Sequence, residues 1–499
     1  MEGFVALCAV LGKLQKISLA NCTLGAASAS ELAKAVSSAD GSIASLKLDS
    51  NGIFGEIYPN GNVKEADKFV TEVQPLLDAL KTSSITSLSL RGTGMGVKGV
   101  AAVADAMSTM GSVNSLTLDS TGVMKDQNGY TGQGTQKTYT LTTGEDTIDL
   151  SSKNLGCADI NLLAVWIRRP EVIASITSCC ILNNPLGEGV NEIIKVFQDS
   201  PRLRTLCGFE EGIEEVDWSN SKKGVADVTL LAAELTAGRA IASLTSCCLL
   251  HNPLGEGVKD IINVFEQTPR LRTLCGFEEG VENIDWSGSG KGVTDVALLA
   301  ADLAAGRAIA ASIISLTVDS TGNMNNQKTY TLTVGDETID LSQNNLGSAD
   351  ITLLATWIRR PEVMASINSL TVDSTGDTKD RILSGSSAGA NWLHGHNNGI
   401  PGVAYYDKNI GSSTTDLPVA DWVVLCCSRY GVKRYVNGVQ KDENEVISSV
   451  SDIDVYINVW EAQKSDWGAA FIVSWDRDLL HDELIKVSNF LMDGTMGPV

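Results

Sequence analysis

Long hydrophobic runs are missing from this 499-residue chain. No stretch of about eighteen apolar residues occurs, so no segment reads as a membrane-spanning helix. Cys-x-x-Cys spacing is missing too. Eleven cysteines are present, with Cys179-Cys180, Cys247-Cys248 and Cys426-Cys427 adjacent. Neither a zinc site nor a thioredoxin-type motif is indicated, and mostly buried free thiols are expected. Positive charge is in deficit: 38 Lys and Arg stand against 60 Asp and Glu, a net charge of −22. Such a surface repels phosphate backbones, which excludes nucleic acid as a partner and favours solubility or cationic partners. The segment Met1-Glu2-Gly3-Phe4-Val5-Ala6-Leu7-Cys8 lacks the basic region of a secretory signal, which favours the cytoplasm.

Catalytic signatures are equally scarce. No Gly-x-Ser-x-Gly, His-Glu-x-x-His, Walker or Gly-x-Gly-x-x-Gly motif falls in a strand–helix context. The four histidines are His251, His394, His396 and His481. His251 stands where a duplicate segment has Asn183, so no shared chemistry rests on it. His394 and His396 could face a metal together, but no third ligand accompanies them. Calcium has only Asp452, Asp454 and Asp466 to draw on, outside any loop of dedicated ligand spacing. The expectation is no catalytic residue, no resident metal and no cofactor: the chain does not read as an enzyme.

What is abundant is repetition. The stretch ITSCCILNNPLGEGVNEIIKVF from Ile176 returns as LTSCCLLHNPLGEGVKDIINVF from Leu244, and QKTYTLTTGEDTIDLSSKNLG from Gln136 returns from Gln327. Beneath these lies a shorter period. Ile17-x-Leu19, Leu46-x-Leu48, Leu88-x-Leu90 and Leu116-x-Leu118 each lead into a turn and a helix-periodic segment such as ASELAKAV or VAAVADAM. Leu19 to Leu48 is 29 residues and Leu90 to Leu118 is 28. One strand and one helix per period cannot bury both faces alone, so neighbours must stack.

Three columns follow from strand alternation. Inward positions hold Leu, Ile or Val, replaced by Cys179, Cys247, Trp218 and Trp286 in the duplicated modules; those tryptophans are expected in the core. The third residue after each strand is Cys22, Asn51, Thr93, Thr121, Asn184, Ser221, Asn252, Ser289, Thr321, Asn344 or Thr375, with Lys153 breaking the column. Such side chains can bond turn backbone. Outward positions carry Asp49, Asp119, Asp149, Asp217, Asp285, Asp319, Asp340 and Asp373 with Lys47, Arg91 and small hydroxyl residues. That face is acidic and poor in the aromatics that anchor tight interfaces.

The spacing breaks in places. Leu206 precedes Trp218, Leu274 precedes Trp286 and Leu332 precedes Leu341 too closely for a helical crossover. Hairpin-like excursions are expected there, and Ile53–Val63 reads as a loop. Gly3–Leu11 aligns with the helical half of a repeat, Gly99–Met107, with no polar cap before it. Phe4, Leu7 and Leu11 are therefore the expected assembly edge.

From Asp373 the composition turns to Ser, Gly and Asp, and short β-rich runs follow: WVVLCC, RYVNGVQ, DVYINVW and AAFIVSW. Asn437-Gly438 is a hairpin signal. The last segment, LLHDELIKVSNFLM, is helix-periodic.

The repeat pattern resembles the ribonuclease-inhibitor class of leucine-rich repeats over residues 1–378. NWLHGH at Asn391–His396, GVAYYD at Gly402–Asp407, DWVVLC at Asp421–Cys426, VNGV at Val436–Val439 and SDWGAAFIVSWDRDLLHDELIKVSNFL from Ser465 resemble a LamG or concanavalin-A-like jelly roll over 379–499. Together these imply an α/β solenoid, with a parallel sheet on the concave face and helices outside, followed by a small antiparallel β-sandwich. The second resemblance implies glycan contact through Trp392, His394, His396, Tyr405 and Tyr406. Glycosidases of that fold need flanking carboxylates, and Asp452-Ile-Asp454 lacks the third carboxylate of the family's strand. Proteins combining both parts occur, by resemblance, in algae and other unicellular eukaryotes, often at surfaces. The expected role is a structural or scaffolding subunit that associates with other protein subunits or itself, in an extracellular filament or appendage. A lectin-like glycan reader and an intracellular adaptor are the alternatives.

Overall fold

A computed structural model describes residues 2–38, 43–122, 136–307, 312–322 and 327–372 in full. It describes as backbone strands Met124–Lys125, Thr131–Gly132, Arg381–Ser387, Ala390–Asn397, Ile400–Tyr406, Asn409–Ile410, Leu425–Cys427, Lys433–Val436, Val439–Glu443 and Asp454–Ile457. The protein is mixed α/β, with short strands alternating with helices. Two compact units divide it, Met1–Phe277 and Glu278–Val499.

In the first unit the strands Lys16–Ser18, Ser45–Lys47, Ser87–Ser89 and Ser115–Asp119 lie parallel in one sheet. Their register puts Ile17, Leu46, Leu88 and Leu116 in a row, each almost fully buried. Two positions on, Leu19, Leu48, Leu90 and Leu118 form a second buried row. The helices Ala26–Ser37, Val70–Lys81 and Val97–Met107 return the chain between them and bury their apolar stripes, as Val100, Val103, Ala104 and Met107 do in the last. After the sheet come two parallel pairs, Thr147–Asp149 with Ser178–Cys180 and Glu215–Asp217 with Ser246–Cys248. Trp218 and Trp286 are 8% exposed, core residues as their positions imply. Cys8, Cys179, Cys207, Cys247 and Cys275 are buried, while Cys22 and Cys157 are exposed.

The turn column is a hydrogen-bonding device. Asn51 is fully buried; its amide donates to the carbonyls of Leu19 (2.7 Å), Leu48 (2.9 Å) and Asp49 (3.1 Å). Its Oδ1 accepts from the N–H groups of Cys22 (3.0 Å) and Leu24 (2.9 Å). Asn184 repeats this with Leu150, Ile181, Leu182 and Leu155, and Asn252 with Trp218, Leu249, Leu250 and Lys223. Thr93 and Ser289 make one bond each, to the carbonyls of Leu90 and Trp286. Each of these three amides joins two successive units, where the Thr93 and Ser289 hydroxyls reach only their own.

Four helix starts are built alike. Gly156, Gly224, Gly292 and Gly347 are N-caps in extended conformation, and each N–H donates to the aspartate three residues on: Asp159, Asp227, Asp295 and Asp350. The helix Val97–Met107 lacks that aspartate. Asp67 serves instead, accepting from Gly96 (2.7 Å), Gly99 (2.8 Å) and Lys98 (2.8 Å). Asp67 follows the segment Ile53–Val63 expected to be a loop, where a short antiparallel pair forms instead, Glu56–Ile57 against Val63–Glu65. Ile53 and Phe54 anchor it in the core, at 0% and 1% exposure. Gly55 is required there, since a Cβ would lie 2.4 Å from the carbonyl oxygens of Glu65 and Gly94.

The interruptions differ in detail from the expectation. Leu332 does lie in an antiparallel pair, but its partner is the preceding strand: Ser315–Asp319 pairs with Thr329–Thr333, Leu316 opposite Leu332. Ser115–Asp119 pairs likewise with Thr138–Thr142. Residues 334–337 are only the connection into Thr338–Leu341, which pairs parallel with Ser369–Val372. At Leu206 and Leu274 no hairpin forms. Thr205 and Thr273 make single parallel bridges to Ser178 and Ser246, and Cys275 bridges Cys248 antiparallel. The segments around Leu206 and Leu274 are too short to build a ladder before the next parallel strand begins.

In the second unit, Asn283–Asp285 pairs parallel with Ser315–Asp319. Further on, five antiparallel strands run in the order 409–410, 400–406, 390–397, 381–387, 454–457, and three more in the order 425–427, 433–436, 439–443. The strands flanking Asn437-Gly438 pair with Val436 opposite Val439, the expected hairpin. The terminal segment LLHDELIKVSNFLM and Asp373, Thr375, Asp452 and Asp466 lie outside the described residues.

Replacing Asn184 by Ala strips four buried backbone groups of their side-chain partner. The variant is expected to lose about 3 kcal/mol in urea denaturation, against about 1 kcal/mol for Thr93→Ala. Equal losses would contradict the bridging role.

Candidate functional site

The outward aspartates were the first candidates. Asp149, Asp217, Asp285 and Asp340 each accept from the backbone N–H two residues on, at Ser151 (2.9 Å), Ser219 (2.8 Å), Ser287 (2.9 Å) and Ser342 (2.9 Å). Hydrogen bonds from the serine side chains of 219, 287 and 342, then from their N–H groups, hold Asp217, Asp285 and Asp340 below the usual carboxylate range. Asp49 is 3% exposed; it accepts from Ser89 Oγ (2.5 Å) and pairs with Lys47 (3.3 Å) and Arg91 (3.8 Å). Asp119 takes Gly92 N–H (2.6 Å) and Thr138 Oγ1 (2.7 Å), and Asp319 takes Gly288 N–H (2.7 Å) and Thr329 Oγ1 (2.6 Å).

Register keeps these acids apart. Asp149 lies opposite Cys180, Asp217 opposite Cys248, Asp285 opposite Thr317, Asp340 opposite Thr371, and Asp119 opposite Thr138. Like charges directly opposite would repel. The face is a set of separate, turn-bound carboxylates and does not converge on a ligand. Among the described residues no group of three or more His, Cys, Asp or Glu is arranged to hold a metal ion.

The acids that do converge were not singled out from the sequence. Asp159 is fully buried and accepts at Oδ2 from Thr121 N–H (2.8 Å), Thr121 Oγ1 (2.7 Å) and Gly156 N–H (2.8 Å), and at Oδ1 from Tyr139 Oη (2.9 Å). Asp350 repeats the set with Thr321, Gly347 and Tyr330. Burial raises the Tyr139 and Tyr330 hydroxyls above their ordinary range, with the facing aspartate adding to it, so both stay protonated donors. Each cluster ties the antiparallel strand to the next helix, a structural job. The repeated Thr-Tyr-Thr run was the available signal.

The expected assembly edge is divided. The helix Glu2–Leu11 buries Cys8 and Leu11, so Leu11 belongs to the core rather than to an edge. Helical spacing puts these two on one face, and the helix packs against Ala26–Ser37. Leu7 is 42% exposed and Phe4 half-buried; Val5, Val10 and Leu14, at 43%, 49% and 48%, complete an apolar surface the sequence reading missed in part. Lys16–Ser18 is the outermost strand of its sheet. Ser369–Val372 is likewise outermost in its pair, and Leu370 is 45% exposed where Ile339 opposite it is buried.

For the glycan candidates the backbone register gives placement. Trp392 lies opposite Tyr406, Leu393 opposite Tyr405, and His394 opposite Ala404. Positions two apart share a sheet face, so Trp392, His394 and Tyr406 fall on one face and Tyr405 on the other. His396 follows a register shift between Gly395 and Asn397.

No family model matches the chain, and no curated protein is similar to it. Among the described residues no helix is long and apolar enough to cross a membrane.

Burial holds the Asp159 carboxyl above the ordinary range, outweighing the bonds from Gly156, Thr121 and Tyr139. A raised folded-state value means stability is full below the unfolded value of about 4 and is lost as pH rises through the folded one. Asp159→Asn removes the titrating group, keeping one oxygen to accept from Thr121 and Gly156 while its amide donates to Tyr139 Oη in place of accepting from it, so its denaturation midpoint is expected to vary less from pH 4 upward than that of the unmodified protein. Parallel pH profiles would contradict this.

Proposed function

We propose that residues 1–378 form a leucine-rich-repeat solenoid of the ribonuclease-inhibitor kind, and residues 379–499 a LamG or concanavalin-A-like sandwich. On this reading the protein is a non-enzymatic structural or scaffolding subunit that associates with other protein subunits, or with itself, through the solenoid. An extracellular filament or appendage is the proposed setting. The observation that carries it is the exposed apolar surface of Val5, Leu7, Val10 and Leu14 beside the outermost strand Lys16–Ser18. Apolar side chains grouped at a sheet edge offer both buried area and unpaired backbone donors to a partner. The acidic face offers neither aromatic anchors nor converging charge, so it is a solvated surface in this scheme.

Sedimentation velocity over a concentration series tests the reading. Self-association is expected, and Val5→Glu with Val10→Glu is expected to weaken it at least tenfold, since both side chains are exposed and the fold tolerates the change. A monomer at all concentrations, with no end-to-end objects in native material by electron microscopy, would overturn it.

A second reading is favoured by one specific observation, the register that groups Trp392, His394 and Tyr406 on one face. Aromatic rings on a sheet face stack on sugars, and a lectin-like role for the C-terminal part follows. On a glycan array, binding lost in Trp392→Ala and kept in Tyr405→Ala supports it; an array without signal removes it.

A further inference from the structure

Two pairs of cysteines occupy the same relation in the duplicated modules. Cys180 ends the strand Ser178–Cys180, and Cys207 follows in the segment that turns back over it. Ile181 N–H donates to Leu206 O (3.1 Å), and the Cys180 thiol donates to Cys207 O (3.3 Å). In the second copy Leu249 N–H donates to Leu274 O (2.9 Å), and Cys248 and Cys275 are directly opposed in an antiparallel bridge. With the bond running between the flanking residues, this is the non-hydrogen-bonded type of pair, whose Cα atoms lie about 4.5 Å apart. That falls within the 4.4–6.8 Å span of natural disulfides.

The chain is held close by glycine. A Cβ on Gly208, whose φ is +77°, would lie 2.9 Å from Cys180 Cβ and 3.2 Å from its sulfur. At Gly276, with φ +74°, the corresponding distances to Cys248 are 2.9 and 3.3 Å. Any other residue would push the segment off the strand. The Cys180 thiol thus lies in a narrow gap beneath the turn, and the Cys207 thiol in that turn bonds the buried Glu234 carboxylate.

We propose that Cys180 closes with Cys207, and Cys248 with Cys275, into two equivalent disulfides when the protein meets a disulfide oxidant. With oxidised glutathione, the more accessible Cys180 thiolate attacks one glutathione sulfur and releases glutathione thiolate. The Cys207 thiolate then attacks Cys180 Sγ, breaks the mixed disulfide and releases the second glutathione. Two thiol protons go to solvent, and the two electrons reduce the oxidant. Each bridge would fasten the irregular segment after a helix to the strand beneath it. The neighbouring Cys179 and Cys247 are inward and wholly buried, so the adjacent cysteines do not compete. Burial pushes the Cys180 and Cys207 thiols up from their ordinary range, with Asp149 adding to it and Lys223 opposing it at Cys180, and the Glu234 and Asp227 carboxylates adding to it at Cys207, so the reaction gains speed as pH rises and is slow at neutrality. A secreted protein would acquire the bonds during folding, and a cytosolic one would stay reduced.

The full chain is incubated with oxidised glutathione at pH 7, 8 and 9, alkylated, digested without reduction and mapped by mass spectrometry. Crosslinked peptides joining 180 to 207 and 248 to 275 are expected, forming faster at each higher pH, with a rise of several degrees in the thermal midpoint. Cys180→Ser is expected to abolish the first link and leave the second. In Cys207→Ser, glutathione is expected to remain on Cys180; if that variant does not fold, Cys180→Ser alone decides. Four alkylated cysteines at pH 9, links to Cys179 or Cys247, or loss of both links in Cys180→Ser would each overturn the proposal.

Discussion

The turns between a strand and the next helix leave buried backbone groups that neither ladder nor helix pairs, and at three of them a buried side-chain amide meets those groups. Asn51, Asn184 and Asn252 each carry donors and acceptor in one planar group, so one residue serves several buried carbonyls and N–H groups together. Because the partners lie in two consecutive units, the same bonds set how one unit sits on the next. Hydroxyl residues elsewhere in the column cannot do both. Where Thr121 and Thr321 stand, the second half of the task falls to a buried carboxylate, Asp159 or Asp350.

The antiparallel strands Thr138–Thr142 and Thr329–Thr333 show how an irregular piece is made part of the whole. Tyr139 and Tyr330 reach from these strands to the aspartate that also caps the following helix. Outside, Thr117 meets Thr140 and Thr317 meets Thr331 at about hydrogen-bond contact, 3.0 and 2.9 Å. Polar bonds on both faces therefore hold the added strand beside the apolar rows of its neighbour. Packing alone would leave its register free to slip by two.

Much of this was legible in the residues. The apolar rows, the turn column, the buried tryptophans and the Asn437-Gly438 hairpin follow from period and turn chemistry, because those rules act over a few positions. The partner of Leu332 did not, since strands before and after it in sequence were available, and it pairs with the preceding one although the following one is nearer in sequence. The hairpin at Glu56–Ile57 was hidden by loop-like composition. At the candidate sites, the spacing of the aspartates was visible but not that each faces a hydroxyl, a thiol or a backbone N–H rather than another acid. Leu11 was misplaced because an apolar helix offers several plausible faces, and the packing against the following helix, Ala26–Ser37, decides which is covered.

Asp67 changes what the insertion before it means for the history of the chain. Repeats grow by copying because each copy brings its own helix cap, as Asp159, Asp227, Asp295 and Asp350 do. The unit that contains Val97–Met107 has given its cap to a neighbour. It has become dependent on one particular predecessor and can no longer be duplicated or shuffled alone. The duplicated modules lie further along, where the helices Val225–Ala237 and Val293–Ala305 carry their own capping aspartates, Asp227 and Asp295.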